Sequence, residues 1–132
     1  MSNKEVIRSG PDGRIVLMDS ISSISREDEG SIVISSSHGG VAAGEVAGRV
    51  RLGVVFFNDA GVGKNKAGIR ALKMLEEKGV AAGTVSHMSA RIGESIDSWE
   101  NGIISHLNEN AEFKGFKVGE PVRDAVMRFV GE

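Results

Sequence analysis

The sequence contains no cysteine, which excludes disulfide bonds, thiolate metal ligands and a cysteine nucleophile. Aromatic residues are also scarce (5%), with one tryptophan and no tyrosine, so the core must be built mainly from aliphatic side chains. No apolar run approaches the ~20 residues that cross a bilayer, and the first five residues lack the apolar segment of a signal peptide. These absences favour a cytoplasmic protein with no membrane partner.

A strong charge imbalance is lacking too. The 16 basic and 18 acidic residues give a formal net charge of −2 and are interspersed along the chain. Nucleic-acid-binding domains usually carry a basic surface, so we expect no nucleic-acid partner. With 132 residues, 40% of them apolar, the chain has the size and composition of one globular domain. We predict a loose tail over residues 1–10 and a single domain over residues 11–132.

Glycine, in contrast, is abundant, with 18 residues. The chain has neither a collagen repeat nor a Gly/Ser linker, so these glycines must serve turns with positive φ or close approaches between backbones. A core of small aliphatic residues is modest, and small α/β domains often bury a helix face or a sheet edge against a second copy. We therefore predict homo-oligomerisation.

Short apolar, β-branched runs alternate with helical patterns along the chain. The predicted strands are residues 14–18, 31–35, 51–57 and 80–85, and the predicted helices are residues 41–50, 66–78 and 96–111, with a last helix starting at Pro121. The third strand is apolar at almost every position, which is typical of a strand buried on both faces of a parallel sheet. We predict a single three-layer α/β domain with a four- or five-stranded, mainly parallel sheet.

Polar, titratable or glycine residues follow every predicted strand. Ligands bind beyond the carboxyl ends of the strands in parallel α/β sheets. We predict that four residues share this edge of the sheet: Asp19, His38, Asp59 and His87. The alternative is that these residues only form the turns and helix caps that such loops require.

Imidazole titrates near neutral pH, so His38 and His87 are predicted to be catalytic acids or bases, with Asp59 orienting them or acting as a second base. No two histidines or acids show a diagnostic metal-ligand spacing, and no G-x-S-x-G motif is present, so we predict neither a metal site nor a serine hydrolase. His106 falls within predicted helix 96–111, where it is expected to lie at the edge of a packed face with Trp99 and Ile103.

The segment from residue 58 to residue 65 is similar to a Walker A loop but lacks its first glycine and its final Ser/Thr, and no G-x-G-x-x-G motif occurs, so no nucleotide cofactor is expected. A glycine turn entering helix 66–78 would instead offer backbone N–H groups and Lys64 to a phosphate or carboxylate, and Arg91 could add a bidentate contact. The alternative for Arg91 is an ion pair with Glu94 or Asp97. The predicted ligand-binding residues are Ser37, Gly39, Asn58, Gly61, Gly63, Lys64, Ser89 and Arg91.

These features predict a protein that handles a small anionic metabolite at the carboxyl edge of its sheet, with catalysis left open. The alternative is a non-catalytic ligand-binding or assembly subunit of a homo-oligomer. Catalysis is favoured if both histidines and Asp59 face one open pocket, and disfavoured if they cap helices or lie in a subunit contact.

Overall fold

A computed structural model describes residues 3–11 and 13–131. Over these residues the chain is a mixed α/β fold with a single six-stranded sheet, whose strands lie side by side in chain order. The strands are β1 (Lys4–Arg8), β2 (Ile15–Met18), β3 (Ile32–His38), β4 (Val54–Asn58), β5 (Ala81–Val85) and β6 (Ile104–Leu107).

Five α-helices and three short 3-10 helices connect and flank the strands in the described ranges. The α-helices are α1 (Val41–Ala47), α2 (Arg70–Glu77), α3 (Ser95–Asn101), α4 (Glu109–Phe113) and α5 (Val122–Phe129). The 3-10 helices are Ile21–Ser23, Arg26–Asp28 and Lys64–Ile69. Within the same ranges, no helix has the length and apolarity needed to cross a membrane.

The sheet is mixed, because β2 to β5 run parallel while β1 and β6 pair antiparallel at its two sides. The sequence predicts four or five strands in a mainly parallel sheet, so the strand count is wrong and both outer strands are missed. The four predicted strands correspond to β2, β3, β4 and β5, whose apolar residues are nearly all buried.

Strand β1 lies where a loose tail is predicted. Residues 4–8 carry three charged side chains out of five and pair with β2, with Lys4 opposite Met18 and Val6 opposite Val16. Because this outer strand is largely solvated, it lacks the apolar alternation by which a strand is recognised. Residues 1 and 2 of the predicted tail lie outside the described residues.

Strand β6 interrupts the predicted helix 96–111. Helix α3 ends at Asn101, Gly102 continues in extended backbone, and Asn108 then caps α4 by accepting a hydrogen bond from the Ala111 amide. Pairing with β5 therefore overrides the helical pattern between the two short helices. The prediction that His106 lies mid-helix is wrong.

Successive residues of a strand point to opposite faces of the sheet, so the strands contribute to two apolar clusters, one on each face. Ile15, Ile34 and Phe56 enter one cluster together with residues of α3 and α5. Val16, Val33 and Phe57 enter the other together with residues of α1 and α2. The sheet is thus apolar on both faces, and its polar groups concentrate at the strand ends.

The buried carboxylate of Asp28 links β1 to the residue that precedes β2. The side chain of Asp28 is fully buried, 2.9 Å from Lys4 Nζ and 3.1 Å from Arg14 Nη1, and it accepts a hydrogen bond from the Ser25 amide at 2.8 Å. Burial alone raises the pKa of Asp28, but the Lys4 and Ser25 hydrogen bonds and the two cations outweigh it and lower the pKa. This network stabilises the fold at pH above the ordinary value of 3.8 and is lost as pH falls through the lowered pKa.

We expect Asp28→Asn to lower the free energy of unfolding by about 2 kcal/mol at neutral pH, because it leaves two partly buried cations without their counter-charge. Urea unfolding at neutral and acidic pH checks this, and the gap between wild type and variant should narrow as pH falls. Glu27→Gln is the matched control, because Glu27 is 69% exposed and 3.9 Å from Lys4 Nζ. A gap that is independent of pH would show that the charge of Asp28 does not stabilise the fold.

Candidate functional site

The residues that follow β2, β3, β4 and β5 lie at one edge of the sheet, which we call the carboxyl edge. The parallel register sets His38 beside Asn58 and Asn58 beside Val85. Asp19, His38, Asp59 and His87 therefore share the carboxyl edge, as the sequence predicts. Their hydrogen bonds, however, divide them into different environments.

Asp19 caps a helix. Its carboxylate accepts hydrogen bonds from the amide and hydroxyl of Ser95, at 2.9 and 2.8 Å, and from the Asn3 amide at 3.0 Å. Burial alone raises its pKa, but these hydrogen bonds outweigh burial and lower it. Asp19 thus holds the start of α3 and the N-terminal strand together.

His38 lies apart from the other histidines, in an open depression of about 460 Å³ that is walled by apolar residues including Ile21, Val46 and Ile92. Its side chain is exposed, and its ring covers Gly40.

The neighbouring Ser37 hydroxyl accepts a hydrogen bond from the Ile21 amide at 2.8 Å. Gly39 packs closely, because an added Cβ would lie 2.6 Å from the Gly68 carbonyl oxygen. Ser37 and Gly39 thus both make contacts that hold the backbone in place.

Asp59 and His87 form a hydrogen-bonded pair at the ends of β4 and β5. The Asp59 carboxylate is buried, with Oδ1 accepting from the amides of Gly61 (2.8 Å) and His87 (3.1 Å) and lying 3.3 Å from His87 Nδ1. Burial alone raises the pKa of Asp59, but hydrogen bonds from Ser105, Gly61 and His87 lower it. The His87 side chain is 50% exposed. With Nδ1 on the carboxylate, Nε2 is the ring nitrogen available to a ligand.

Strand β6 brings a second histidine to the same carboxylate. Thr84 pairs with His106 but Val85 pairs with Ile104, so Ser105 is the extra residue of a β-bulge. The bulge lets both Ser105 Oγ (2.9 Å) and His106 Nδ1 (3.4 Å) reach the Thr84 hydroxyl. His106 Nδ1 also lies 3.9 Å from Asp59 Oδ2. We call Asp59, Thr84, His87, Ser105 and His106 the Asp59 cluster.

Three members of the cluster, Thr84, Ser105 and His106, are not predicted as site residues from the sequence. Two signals for β6 are nevertheless present there. Asn101-Gly102 is a turn dipeptide, and it is followed by the β-branched pair Ile103-Ile104, a residue type enriched in strands.

The segment after Asp59 is strained. Ala60, Val62, Asn65 and Lys66 have φ between 51° and 68°, a left-handed conformation that costs a β-branched residue such as Val62 the most. Asn58 anchors the start of the segment, because its buried amide donates to the Ala90 carbonyl (3.0 Å) and accepts from the Ala60 amide (2.8 Å). Strain of this kind concentrates at functional sites.

The predicted anion site at the Gly61–Lys64 turn is not a helix N-terminus. Helix α2 begins at Arg70, and residues 64–69 form a 3-10 segment with left-handed residues inside it. The Gly61 amide donates to the Asp59 carboxylate, and the Gly63 amide donates to the Gly61 carbonyl at 2.8 Å. The turn therefore binds the carboxylate of Asp59, while Lys64 is exposed.

Arg91 and His87 line one open depression of about 520 Å³, together with Asn58, Ala60, Ala90, Ile92 and Glu94. Arg91 Nη1 is 3.8 Å from Glu94, and the side chain is 79% exposed, so the guanidinium is accessible to a ligand. Ser89 is structural, since its hydroxyl donates to the Ser86 carbonyl (2.8 Å) and accepts from the Ile103 amide (2.9 Å).

In the part of the chain that the structure describes, no three histidine, aspartate or glutamate side chains are arranged to hold a metal ion. Over the described residues the chain is an α/β protein whose carboxyl edge carries a buried carboxylate hydrogen-bonded to His87, with the ring of His106 at 3.9 Å from its other oxygen. Comparison with known protein families, with curated proteins and with solved structures finds no match to any of them.

Proposed function

We propose that this protein is an enzyme that transfers protons on a small anionic molecule bound at the carboxyl edge, with His87 as the acid–base residue. The observation that carries the proposal is the buried Asp59 carboxylate at 3.3 Å from His87 Nδ1, behind a ring that is half exposed. A carboxylate in this position orients the imidazole ring and fixes its tautomer, which leaves Nε2 to accept and return a proton.

Asp59 is a positioning residue in this proposal. Its lowered pKa keeps it charged at neutral pH, and two backbone amides hold it in place. His106 faces the other oxygen of the same carboxylate and is 38% exposed, so it is suited to a second proton-transfer role. His38 lines the adjoining depression across Ile92, so the two predicted catalytic histidines do not face one open pocket, and the proposal rests on His87.

Arg91 supports the assignment of an anionic ligand. Its guanidinium lies on the rim of the His87 depression and pairs only loosely with Glu94, at 3.8 Å. A planar guanidinium binds carboxylate and phosphate groups with two parallel hydrogen bonds, so an incoming anion would replace Glu94 as its partner. Lys64, on the segment after Asp59, adds a second exposed cation.

Exchange of substrate hydrogens in heavy water tests the proposal, because it reports proton transfer even where no product accumulates. The panel comprises small oxo acids, hydroxy acids and phosphate esters, and proton NMR follows the loss of C–H signals. We expect wild type to exchange at least one compound, and His87→Gln to slow that exchange by about a hundredfold. Asp59→Asn should slow it as well, and Arg91→Gln should raise KM more than it lowers kcat.

Arg49→Gln is the control, because Arg49 lines a separate depression near residues 22–29. Exchange that persists unchanged in His87→Gln would overturn the assignment of His87. Thermal stabilisation by panel members without any exchange would favour the alternative, a binding subunit with no chemistry.

A further inference from the structure

Helix α4 carries an exposed aromatic residue beside acidic ones. Phe113 is 95% exposed, and Glu109 and Glu112 are exposed as well. Glu112 and Phe113 follow Glu109 by three and four residues, so both lie on its side of the helix. Lys114 is next in sequence, but its ammonium group lies 5.8 Å from the Phe129 ring centroid. We call Glu109, Glu112 and Phe113 the α4 knob.

A groove of opposite charge lies between α1, the 3-10 segment and α2. Its apolar residues are Val41, Ile69 and Met74, and its basic residues are Lys66, Arg70 and Lys73. Its volume is about 400 Å³, and Val41 is 44% exposed at its margin. Glu77 is the one acidic residue among its described lining residues. We call this surface the α2 groove.

We propose that the α4 knob of one molecule docks into the α2 groove of a second copy of the same chain. Both surfaces have an apolar centre and charged residues beside it, which are acidic on the knob and mainly basic on the groove. A knob therefore attracts a groove, whereas two knobs or two grooves repel each other. An aromatic anchor in an apolar groove with a charged rim is the usual anatomy of a protein interface. The contact therefore joins two different patches, and each copy supplies one of each.

The groove includes part of the strained segment, since Asn65, Lys66 and Ile69 line it. Gly68 of the same segment packs on the Asp59 backbone. When a second copy docks, the strained segment of the first molecule lies between the knob of that copy and the first molecule's own Asp59 cluster. Association would therefore restrict the position of the Asp59 cluster. The association itself does not depend on the proposed enzymatic function.

Sedimentation velocity from low micromolar to near millimolar concentration tests the docking. We expect the weight-average mass of wild type to rise with concentration, and Phe113→Ala to weaken association about tenfold or more. E109K/E112K makes both surfaces basic and R70E/K73E makes both acidic, so each variant alone should associate at least about a hundredfold more weakly.

An equimolar mixture of E109K/E112K and R70E/K73E should recover association, because every knob then finds a groove of opposite charge. E29K/E100K is the matched control: it changes the net charge as E109K/E112K does but alters exposed glutamates outside both surfaces, so it should associate as wild type does. Circular dichroism confirms that each variant is folded. A monomeric wild type over the whole range, or a mixture that stays monomeric, would overturn the proposal.

Discussion

Replacement of Asn108 by alanine is expected to lower the free energy of unfolding by about 4 kcal/mol, at the upper end of single-residue effects. The buried Asn108 amide makes four hydrogen bonds to backbone groups. Oδ1 accepts from the amides of Ala82 and Ala111, both at 3.0 Å, and Nδ2 donates to the carbonyls of Leu72 (3.0 Å) and Val80 (2.9 Å). The side chain thus joins α2, β5 and α4 at one point.

Alanine would leave all four backbone groups without this partner in a region closed to water, which costs about 1–3 kcal/mol for each group that stays dry. Equilibrium urea unfolding measures the loss. Asn110→Ala on the same helix is the control, because Asn110 Oδ1 is a buried acceptor that makes no hydrogen bond among the atoms the structure describes. Equal losses from the two variants would show that Asn108 does not join the three elements.

The second large effect is expected from Gly68→Ala. A Cβ at Gly68 would overlap the carbonyl oxygen of Asp59, which belongs to the backbone and cannot rotate away. The Gly68 amide also donates to the Val62 carbonyl at 2.7 Å, so the strained segment must move as a unit. We expect a loss of about 3 kcal/mol from overpacking, together with displacement of Asp59 from His87.

Gly10→Ala is the control for Gly68→Ala. Gly10 is exposed, its φ is not positive, and an added Cβ meets no described atom within 4 Å, so alanine there should cost less than about 0.5 kcal/mol. Urea unfolding gives both losses, and the NMR signals of the His87 ring report on its pairing with Asp59. If those signals are unchanged in Gly68→Ala, then the close packing of Gly68 does not position Asp59.

The sequence predicts the centre of the sheet well and its margins poorly. Strands β2 to β5 are recognised because their apolar residues are buried by neighbours on both faces, which leaves a continuous signal in the sequence. Strand β1 is charged, and β6 is a four-residue strand between two short helices, so both depend on pairing with an inner strand. Pairing of this kind is a tertiary effect, which a local pattern does not record.

The same reasoning explains which parts of the site are predictable. Asp59 and His87 follow directly from the rule that ligands bind at strand ends. His106 cannot be assigned without β6, and the bulge at Ser105 that directs it toward Asp59 has no signature of its own. The anion turn is misassigned because Asn65 and Lys66 both adopt a left-handed conformation, which asparagine tolerates but which is uncommon for lysine.

The order of the strands bears on how the chain reaches its fold. Every strand of the sheet is hydrogen-bonded to its neighbour in sequence, with none inserted between distant segments. Each new pairing therefore closes only the connection between consecutive strands, which is longest between Asn58 and Ala81, and the entropy lost at each step grows only slowly with that length. A sheet of this order can be extended strand by strand as the polypeptide leaves the ribosome, so β2, β3 and β4 can pair before the residues of β6 are synthesised.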